Sequence, residues 1–402
     1  MRRLFIGNFD FEHALADGAG SRTQPNADEV MAALAGAWLS IADESDAVLV
    51  PGDVDPADLA GLARLGNPVP HFVTDFRNIT SPAEYTLVPW GWTDRLRQAA
   101  HTFGFHVQAP PQDVIRRVNA RSFRWKLEEE WGVSLPGSAL VRTLDELEEA
   151  VRKAGTSPAG WVLKAEFGMS GRERILGRGP SLSESQAGWA RRRLAGQGAL
   201  VFEPWVERLA EAGIQLDIPP LGPAELVGVT PLLTDRSGSY RGSRLGGRAD
   251  ELSCWQEAVT VALRVAERLQ QIGYFGPLGI DAVRYRDAEG NERLRPLQDL
   301  NARFTMGRLA LGFRRLLPPG ACGSWLHVSR EQAEHCRRWI EQVGWSDEVT
   351  LVRTSFSRVG ARVLRPVALL LLASTEEQRA AVEQHLLTEF RGVSSSSLEP
   401  EV

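Results

Sequence analysis

Two groups of side chains in this sequence have the types and spacing to hold phosphate and a metal ion. The first is Lys164 and the segment after it. Lys164 lies in the apolar run Trp161-Val162-Leu163-Lys164-Ala165, which reads as a strand, and Phe167-Gly168-Met169-Ser170-Gly171-Arg172 follows. A lysine among buried neighbours costs desolvation unless an anion meets it. A hairpin tip built on Gly168, Ser170 and Gly171 can lay backbone N–H groups against phosphate. Taken alone, the same residues also fit a snorkelling lysine before an ordinary hairpin.

The second group is Asp299-Leu300-Asn301-Ala302-Arg303, at the end of an apolar stretch, with Gly279-Ile280-Asp281 on the stretch before it. Side chains at i and i+2 share one face of a strand, so Asp299, Asn301 and Arg303 point together. Asp281 joins them if the two stretches pair through the turn at residues 287–291. Two carboxylates and an amide oxygen are hard ligands suited to Mg²⁺. Arg303 can then neutralise charge on a transferring phosphoryl group. The competing reading is a solvated strand face carrying a charge pair. A third candidate is Val201-Phe202-Glu203-Pro204-Trp205-Val206-Glu207, an apolar strand that ends at a carboxylate and a proline. It suits either an interdomain hinge that pairs with an adenine edge, Glu203 taking the 6-amino group or ribose hydroxyls, or a plain strand exit.

The elements that must carry these residues follow from pattern. Strands at 3–7, 47–50 and 71–73 alternate with helical segments at 28–41 and 56–65, which implies a small parallel sheet with crossovers. Asn8 and Asp53 would sit at strand carboxyl ends, where such sheets bind ligands. The spacing predicts one helix over 119–131 with Gly132 as its stop, and others at 145–153, 182–194, 251–272, 330–343 and 375–390. Further strands are expected at 161–165, 174–176, 199–202, 226–233, 278–285, 294–300, 349–356 and 367–373. The segment 240–248, rich in Gly and Arg, reads as a flexible loop.

Composition narrows the class. The chain has 402 residues, 43% apolar and 24% charged, with net charge −5, which fits a multidomain globular protein rather than a disordered one. Mild acidity argues against a broad nucleic-acid or anionic-membrane footprint. No apolar run is long enough to span a bilayer, and a cytoplasmic location is expected. Cys254, Cys322 and Cys336 are far apart and form no CxxC, which indicates free thiols rather than a disulfide framework or zinc site. Among the 46 basic residues only Lys126, Lys153 and Lys164 are lysine, so a lysine in mid-strand is notable.

The order strand lysine, glycine loop, Glu-containing hinge, then Asp281 and Asp299-x-Asn301-x-Arg303 resembles the ATP-grasp superfamily over residues 115–315. The resemblance implies an α/β protein made of α+β lobes, an ATP-grasp fold preceded by a small Rossmann-like domain. Its expected divisions are residues 1–115, a small lobe at 116–205, a large lobe with the metal site at 206–320, a C-terminal α/β extension at 321–392 and a disordered tail at 393–402. It implies ATP held between the lobes with one or two Mg²⁺ ions. Lys164 then matches the phosphate lysine, Gly168 to Gly171 the mobile loop, and Glu203 and Val206 the adenine hinge. Glu207 or Asp217 would lie near the ribose contact, Asp281, Asp299 and Asn301 match the metal ligands, and Arg303 the catalytic arginine. The sequence departs from the pattern twice: Asp299 stands where Glu is usual, and Arg121 where a first phosphate lysine is expected, with Lys126 as an alternative. A carboxylate substrate needs a cation, for which Arg241, Arg244, Arg248 and Arg308 are candidates, while Asn8 to Glu12 and Trp90-Gly91-Trp92 would shape the acceptor pocket.

The implied reaction is ATP-dependent activation of a carboxylate as an acyl phosphate, followed by attack of an amine. An amino acid or peptide ligase of natural-product biosynthesis is the leading form. Alternatives are a ligase that loads an amino acid onto a carrier-protein thiol, a kinase-like transfer, and a non-catalytic ATP-binding protein. The partners expected are small carboxylate and amine substrates, with a carrier protein and a homodimer left open.

Overall fold

A computed structural model describes residues 1–17, 27–154, 159–168, 173–246, 253–344, 348–364 and 367–392. The expected tail at 393–402 lies outside them. The N-terminal unit comprises β1 (Arg2–Ile6), α1 (Phe11–Asp17), α2 (Ala27–Leu34), β2 (Ala47–Leu49), α3 (Pro56–Arg64), β3 (His71–Val73), β4 (Tyr85–Pro89) and α4 (Asp94–Phe103). Its sheet runs β3-β2-β1-β4, all parallel. Asp55 caps α3 ahead of Pro56 at the first helical position, and Thr93 caps α4, which ends at Gly104 with φ +78°. β4 and α4 have no counterpart among the expected elements, although β4 alternates buried and half-buried residues.

The expected helix over 119–131 is α6 (Arg121–Trp131), which ends at Gly132 as expected; a further helix, α5 (Gln112–Asn119), precedes it, and the two break at Ala120, which is extended at φ −71° and ψ 130°. The break lets the Arg121 N–H donate to the Glu166 carbonyl at 3.0 Å. β5 (Ala139–Val141), α7 (Leu144–Ala154), β6 (Trp161–Ala165), β7 (Arg174–Gly177), α8 (Glu184–Gln197) and β8 (Leu200–Pro204) complete the small lobe. Its antiparallel sheet runs β5-β8-β6-β7 over a core of its own, built on Trp161, Leu163, Phe202 and Leu147.

The large lobe holds β9 (Glu207–Ile218), β10 (Glu225–Thr234), β11 (Tyr240–Leu245), α9 (Gln256–Gln271), β12 (Gly276–Arg286), β13 (Glu292–Asn301) and α10 (Met306–Gly312). β14 (Cys322–Val328), α11 (Arg330–Val343), β15 (Val349–Arg353), β16 (Val367–Ala373) and α12 (Glu376–Gly392) follow. One antiparallel sheet runs β13-β12-β9-β10-β11-β14-β16-β15. Residues 321–392 therefore extend the large-lobe sheet rather than standing apart from it. Residues 240–245 are a strand between β10 and β14, not the expected loop. Their polar side chains hide the apolar alternation that normally signals a strand. Cys322 and Cys336 are buried free thiols and Cys254 is exposed. Among the described residues no helix is long and apolar enough to cross a membrane.

One core joins the N-terminal unit to the large lobe. Trp38 stacks on Phe5 at 4.9 Å and meets Phe304 edge-on at 5.1 Å. The segment after β13 is pinned from both sides. Phe304 N–H donates to the Trp90 carbonyl at 3.1 Å, and Ala302 N–H donates to Asn119 Oδ1 at 3.0 Å.

Candidate active site

β12 and β13 pair antiparallel with Asp281 directly opposite Asp299 and Gly279 opposite Asn301. A bulge then intervenes: Asp281 to Val283 faces Asp299 to Arg295, so two steps of one strand meet four of the other. Pro296, which has no N–H to give a ladder, lies within this bulge. The bulge turns Leu297 into the core and leaves Arg295 and Asp299 beside the cleft. Like charges opposite each other on a sheet destabilise it, so the Asp281–Asp299 pair marks a place for a cation. Burial, with the charges of Asp299 and Glu211, pushes the Asp281 carboxyl up to about 7, and Asn301 hydrogen-bonds it. Burial would raise Asp299 as well, but Arg121, Lys164 and Arg124 outweigh it and hold that carboxyl down. Among the described residues no three His, Cys, Asp or Glu side chains cluster closely enough to hold a metal by themselves. The donor set is two carboxylates and an amide oxygen, with the Glu211 charge nearby, which fits a hard divalent ion that keeps several waters.

A cleft of about 410 Å³ between the lobes is lined by these residues. Six cations reach it (Arg121, Lys164, Arg174, Arg208, Arg295 and Arg303) against the carboxylates Glu203, Glu211, Asp281 and Asp299. Across it, Arg174 of β7 donates to the Ser237 carbonyl of the large lobe.

Lys164 is 8% exposed, and its Nζ lies 2.7 Å from Glu203 Oε2. Burial depresses the Lys164 pKa; Glu203 opposes this and Arg124 adds to it. Glu203 Oε1 accepts from Arg124 at 2.9 Å and from Arg295 at 2.8 Å. Arg295 also donates from Nε to Glu128 Oε1 at 2.7 Å, and Arg124 pairs with Glu128. Arg295, Lys164 and Arg124 together outweigh burial and hold the Glu203 carboxyl well below the usual range. Glu203 therefore braces three cations with both oxygens. This corrects its expected role as a free carboxylate for an adenine amino group.

The other expected site residues divide. Arg121 donates to the carbonyls of Ala165 at 2.6 Å and Gly168 at 3.1 Å and lies 3.9 Å from Asp299, so it ties the root of the glycine loop to the carboxylate pair. Lys126 is exposed on α6 and does not line the cleft. Lys153 is also exposed and pairs with Glu149. Gly168 and Val206 line the cleft; Ser170 and Gly171 lie outside the described residues. Glu207 is exposed beside Arg286 and lines a cavity adjoining the cleft, and Asp217 holds Arg308 at 2.7 Å; neither lines the cleft itself. On β9 it is Glu211 and Gln215 that do. Arg241 pairs with Asp235 at 2.8 Å and Arg244 with Glu383 of α12 at 2.8 Å, and neither lines the cleft. Three residues apart, the two lie on opposite faces of β11, each held by its own ion pair, and Arg244 lines an adjoining cavity instead, so neither is placed as a carboxylate contact in this cleft; Arg248 lies outside the described residues. Arg124, Glu128 and Arg295 were missed because only the tertiary fold gathers them. The rule that buried ions are partnered identifies them once burial is known.

Comparison with solved structures identifies the architecture. The chain superposes on N5-carboxyaminoimidazole ribonucleotide synthetase of Thermus thermophilus with TM-score 0.53 and 18% identity, covering 99% of this chain and 100% of that one. The chain has the ATP-grasp fold. A second ATP-grasp match is the biotin carboxylase domain of 2-oxoglutarate carboxylase from Hydrogenobacter thermophilus, solved as a dimer with MgADP and bicarbonate. It gives TM-score 0.52 at 11% identity, over 95% of this chain and 89% of that one. The synthetase of Staphylococcus aureus complexed with ADP gives 0.53 at 10% identity, over 97% and 98%. No family model matches the chain. In sequence it is 26% identical over 227 residues to the [butirosin acyl-carrier protein]–L-glutamate ligase of Niallia circulans, 55% of this chain and 52% of that one. The chain thus spans about half the length of the curated relative it matches.

Proposed function

We propose that this chain is an ATP- and Mg²⁺-dependent ligase that activates a carboxylate as an acyl phosphate for attack by an amine. The observation that carries this reading is the Asp281–Asp299 pair with Asn301 and Arg303, set in a cleft whose cations outnumber its carboxylates. Excess positive charge suits a polyphosphate, and the carboxylate pair supplies hard oxygen donors for a metal between the phosphates and the protein. Asp281, Asp299 and Asn301 would hold Mg²⁺, which neutralises charge on the β- and γ-phosphates. Lys164, Arg121 and the loop from Gly168 through Ser170 and Gly171 would hold the phosphates. The backbone at Pro204 to Val206 would meet adenine.

A carboxylate oxygen attacks the γ-phosphorus and the bond to the β-phosphate oxygen breaks, releasing ADP. The amine lone pair then attacks the acyl carbon, phosphate leaves with the C–O electron pair, and the proton lost from nitrogen goes to the departing phosphate. Arg303 faces the charge that develops, and the lobes exclude water. The substrates are an amino acid or peptide and an amine, in a biosynthetic pathway.

A second reading has a specific support. The curated relative is named as a ligase that joins L-glutamate to an acyl-carrier protein. Loading of an amino acid onto a carrier thiol is therefore the alternative acceptor chemistry, with a carrier protein as partner. The biotin carboxylase domain was solved as a dimer, and sedimentation of this chain tests whether it self-associates. A panel of carboxylates with amine or carrier acceptors, followed by ADP release, separates the forms. Product formed only with carrier protein selects the thiol reading. Nucleotide binding without turnover on any carboxylate selects a non-catalytic ATP-binding protein.

A further inference from the structure

Arg303 is gripped on four sides by the chain itself. Its Nε and Nη2 pair with Glu12 Oε1, Nη2 donates to Asn301 Oδ1 at 2.9 Å, and Nη1 donates to the Phe304 carbonyl at 2.6 Å. Its guanidinium carbon lies 5.1 Å from the centre of the Trp90 ring. A guanidinium has five N–H donors in a fixed fork. Three make hydrogen bonds and a second contact from Nη2 to Glu12 is an ion pair, so one N–H of Nη1 has no partner among the described residues, on a side chain that lines the cleft.

Glu12 belongs to α1 of the N-terminal unit, 291 residues from Arg303 in sequence. An acidic residue in the first turn of a helix is ordinary, because it meets the helix dipole. That dipole does not explain burial. Glu12 is 6% exposed, and its Oε2 is buried with no hydrogen-bond partner. A buried carboxylate with one idle oxygen is costly unless its other contacts serve a purpose. Its ion-pair partner is the arginine two residues beyond the amide ligand of the candidate metal site.

We propose that Glu12 is a positioning residue: with Trp90 it fixes the plane of Arg303, so that one N–H of Nη1 faces the oxygen on which negative charge develops. The inference rests on the ligase reading. It gives the N-terminal unit a part in the reaction beyond shaping the acceptor pocket. A preorganised donor need not be reoriented as the charge appears, so loosening it acts on turnover rather than on nucleotide binding.

The test uses the full chain carrying Glu12→Gln, Arg303→Lys and both together. Glu12→Gln lowers kcat roughly ten- to hundred-fold, the usual cost of removing an orienting partner, and leaves the KM for ATP unchanged. In the Arg303→Lys background the same change adds little, because residues acting as one unit are not additive. Equal losses in both backgrounds overturn the proposal and leave the pair as interdomain packing alone. A second readout does not depend on turnover. The Arg303 Nε–H resonance, assigned by its loss in Arg303→Lys, exchanges slowly with solvent in the wild type and faster in Glu12→Gln; unchanged exchange overturns the proposal. Glu12→Asp keeps the charge on a shorter arm and serves if the Gln variant fails to fold, with a partial loss of kcat expected and full activity counting against the proposal. A wild type that releases no ADP with any carboxylate sinks the ligase reading, and the exchange measurement still decides whether Glu12 holds Arg303.

Discussion

Glu203→Gln probes the buried charge cluster beneath the cleft. Glu203 is 2% exposed, accepts from Arg124 at 2.9 Å and Arg295 at 2.8 Å, and pairs with Lys164 at 2.7 Å. Glutamine is nearly isosteric but has one acceptor oxygen, so its NH₂ must point at one of the three cations. Glu128 still serves both arginines, but Lys164 has no other acceptor among its ion pairs in the described structure. Breaking a buried ion pair from one side costs about 3–5 kcal/mol. That is well above the typical 1 kcal/mol or so of a point substitution. Urea unfolding followed by tryptophan fluorescence reads the change, since Trp161 lies in the small-lobe core beside this strand.

The pH dependence has a definite sign. Glu203 titrates well below its ordinary value in the folded chain, so its contribution is present above the unfolded pKa and is lost as pH falls through the folded one. Wild-type stability should decline on acidification below about pH 5, and the Gln variant should show a shallower decline. A loss under about 1 kcal/mol, with the pH dependence intact, would refute the picture of a desolvated carboxylate between three cations.

Other outcomes follow from the same geometry. Asn301→Ala removes a proposed metal donor and an acceptor for Arg303, so turnover should fall roughly a hundred-fold while circular dichroism is unchanged; retained turnover removes the metal-site assignment. Lys164→Arg keeps the charge but puts a planar fork where a compact ammonium fits. Nucleotide affinity by calorimetry should drop about tenfold, the loss of one charge-assisted hydrogen bond; an unchanged affinity returns Lys164 to a purely structural role. Arg244→Ala should lower stability by about 1 kcal/mol, because Glu383 keeps Arg379 and Ser324. It should leave the KM for the carboxylate unchanged; a large rise would restore Arg244 to the substrate site.

The sequence was most legible where chemistry and periodicity coincide. Asp281, Asp299 and Asn301 came from two-residue spacing on paired strands, and the structure places the two aspartates in direct register. The bulge at Pro296 was not legible, since alternation alone gives no count of the unpaired residues. Lysine rarity points to Lys164, which is buried in the cleft wall, and only weakly to Lys126, which is exposed. Arg241 and Arg244 were misplaced because a Gly- and Arg-rich segment reads as a loop until its neighbours β10 and β14 are known. Glu12 and Trp90 were marked as pocket-formers, but their hold on Arg303 depends on a packing of the N-terminal unit against the large lobe that no local pattern encodes.

The central claim, that a carboxylate is activated as an acyl phosphate, is tested most directly by following oxygen. With MgATP, an amine and an ¹⁸O-labelled carboxylate that supports turnover, the chain should yield ADP and inorganic phosphate carrying one labelled oxygen, because the C–O bond breaks when the amine attacks. Release of AMP, or phosphate without label, would contradict the account.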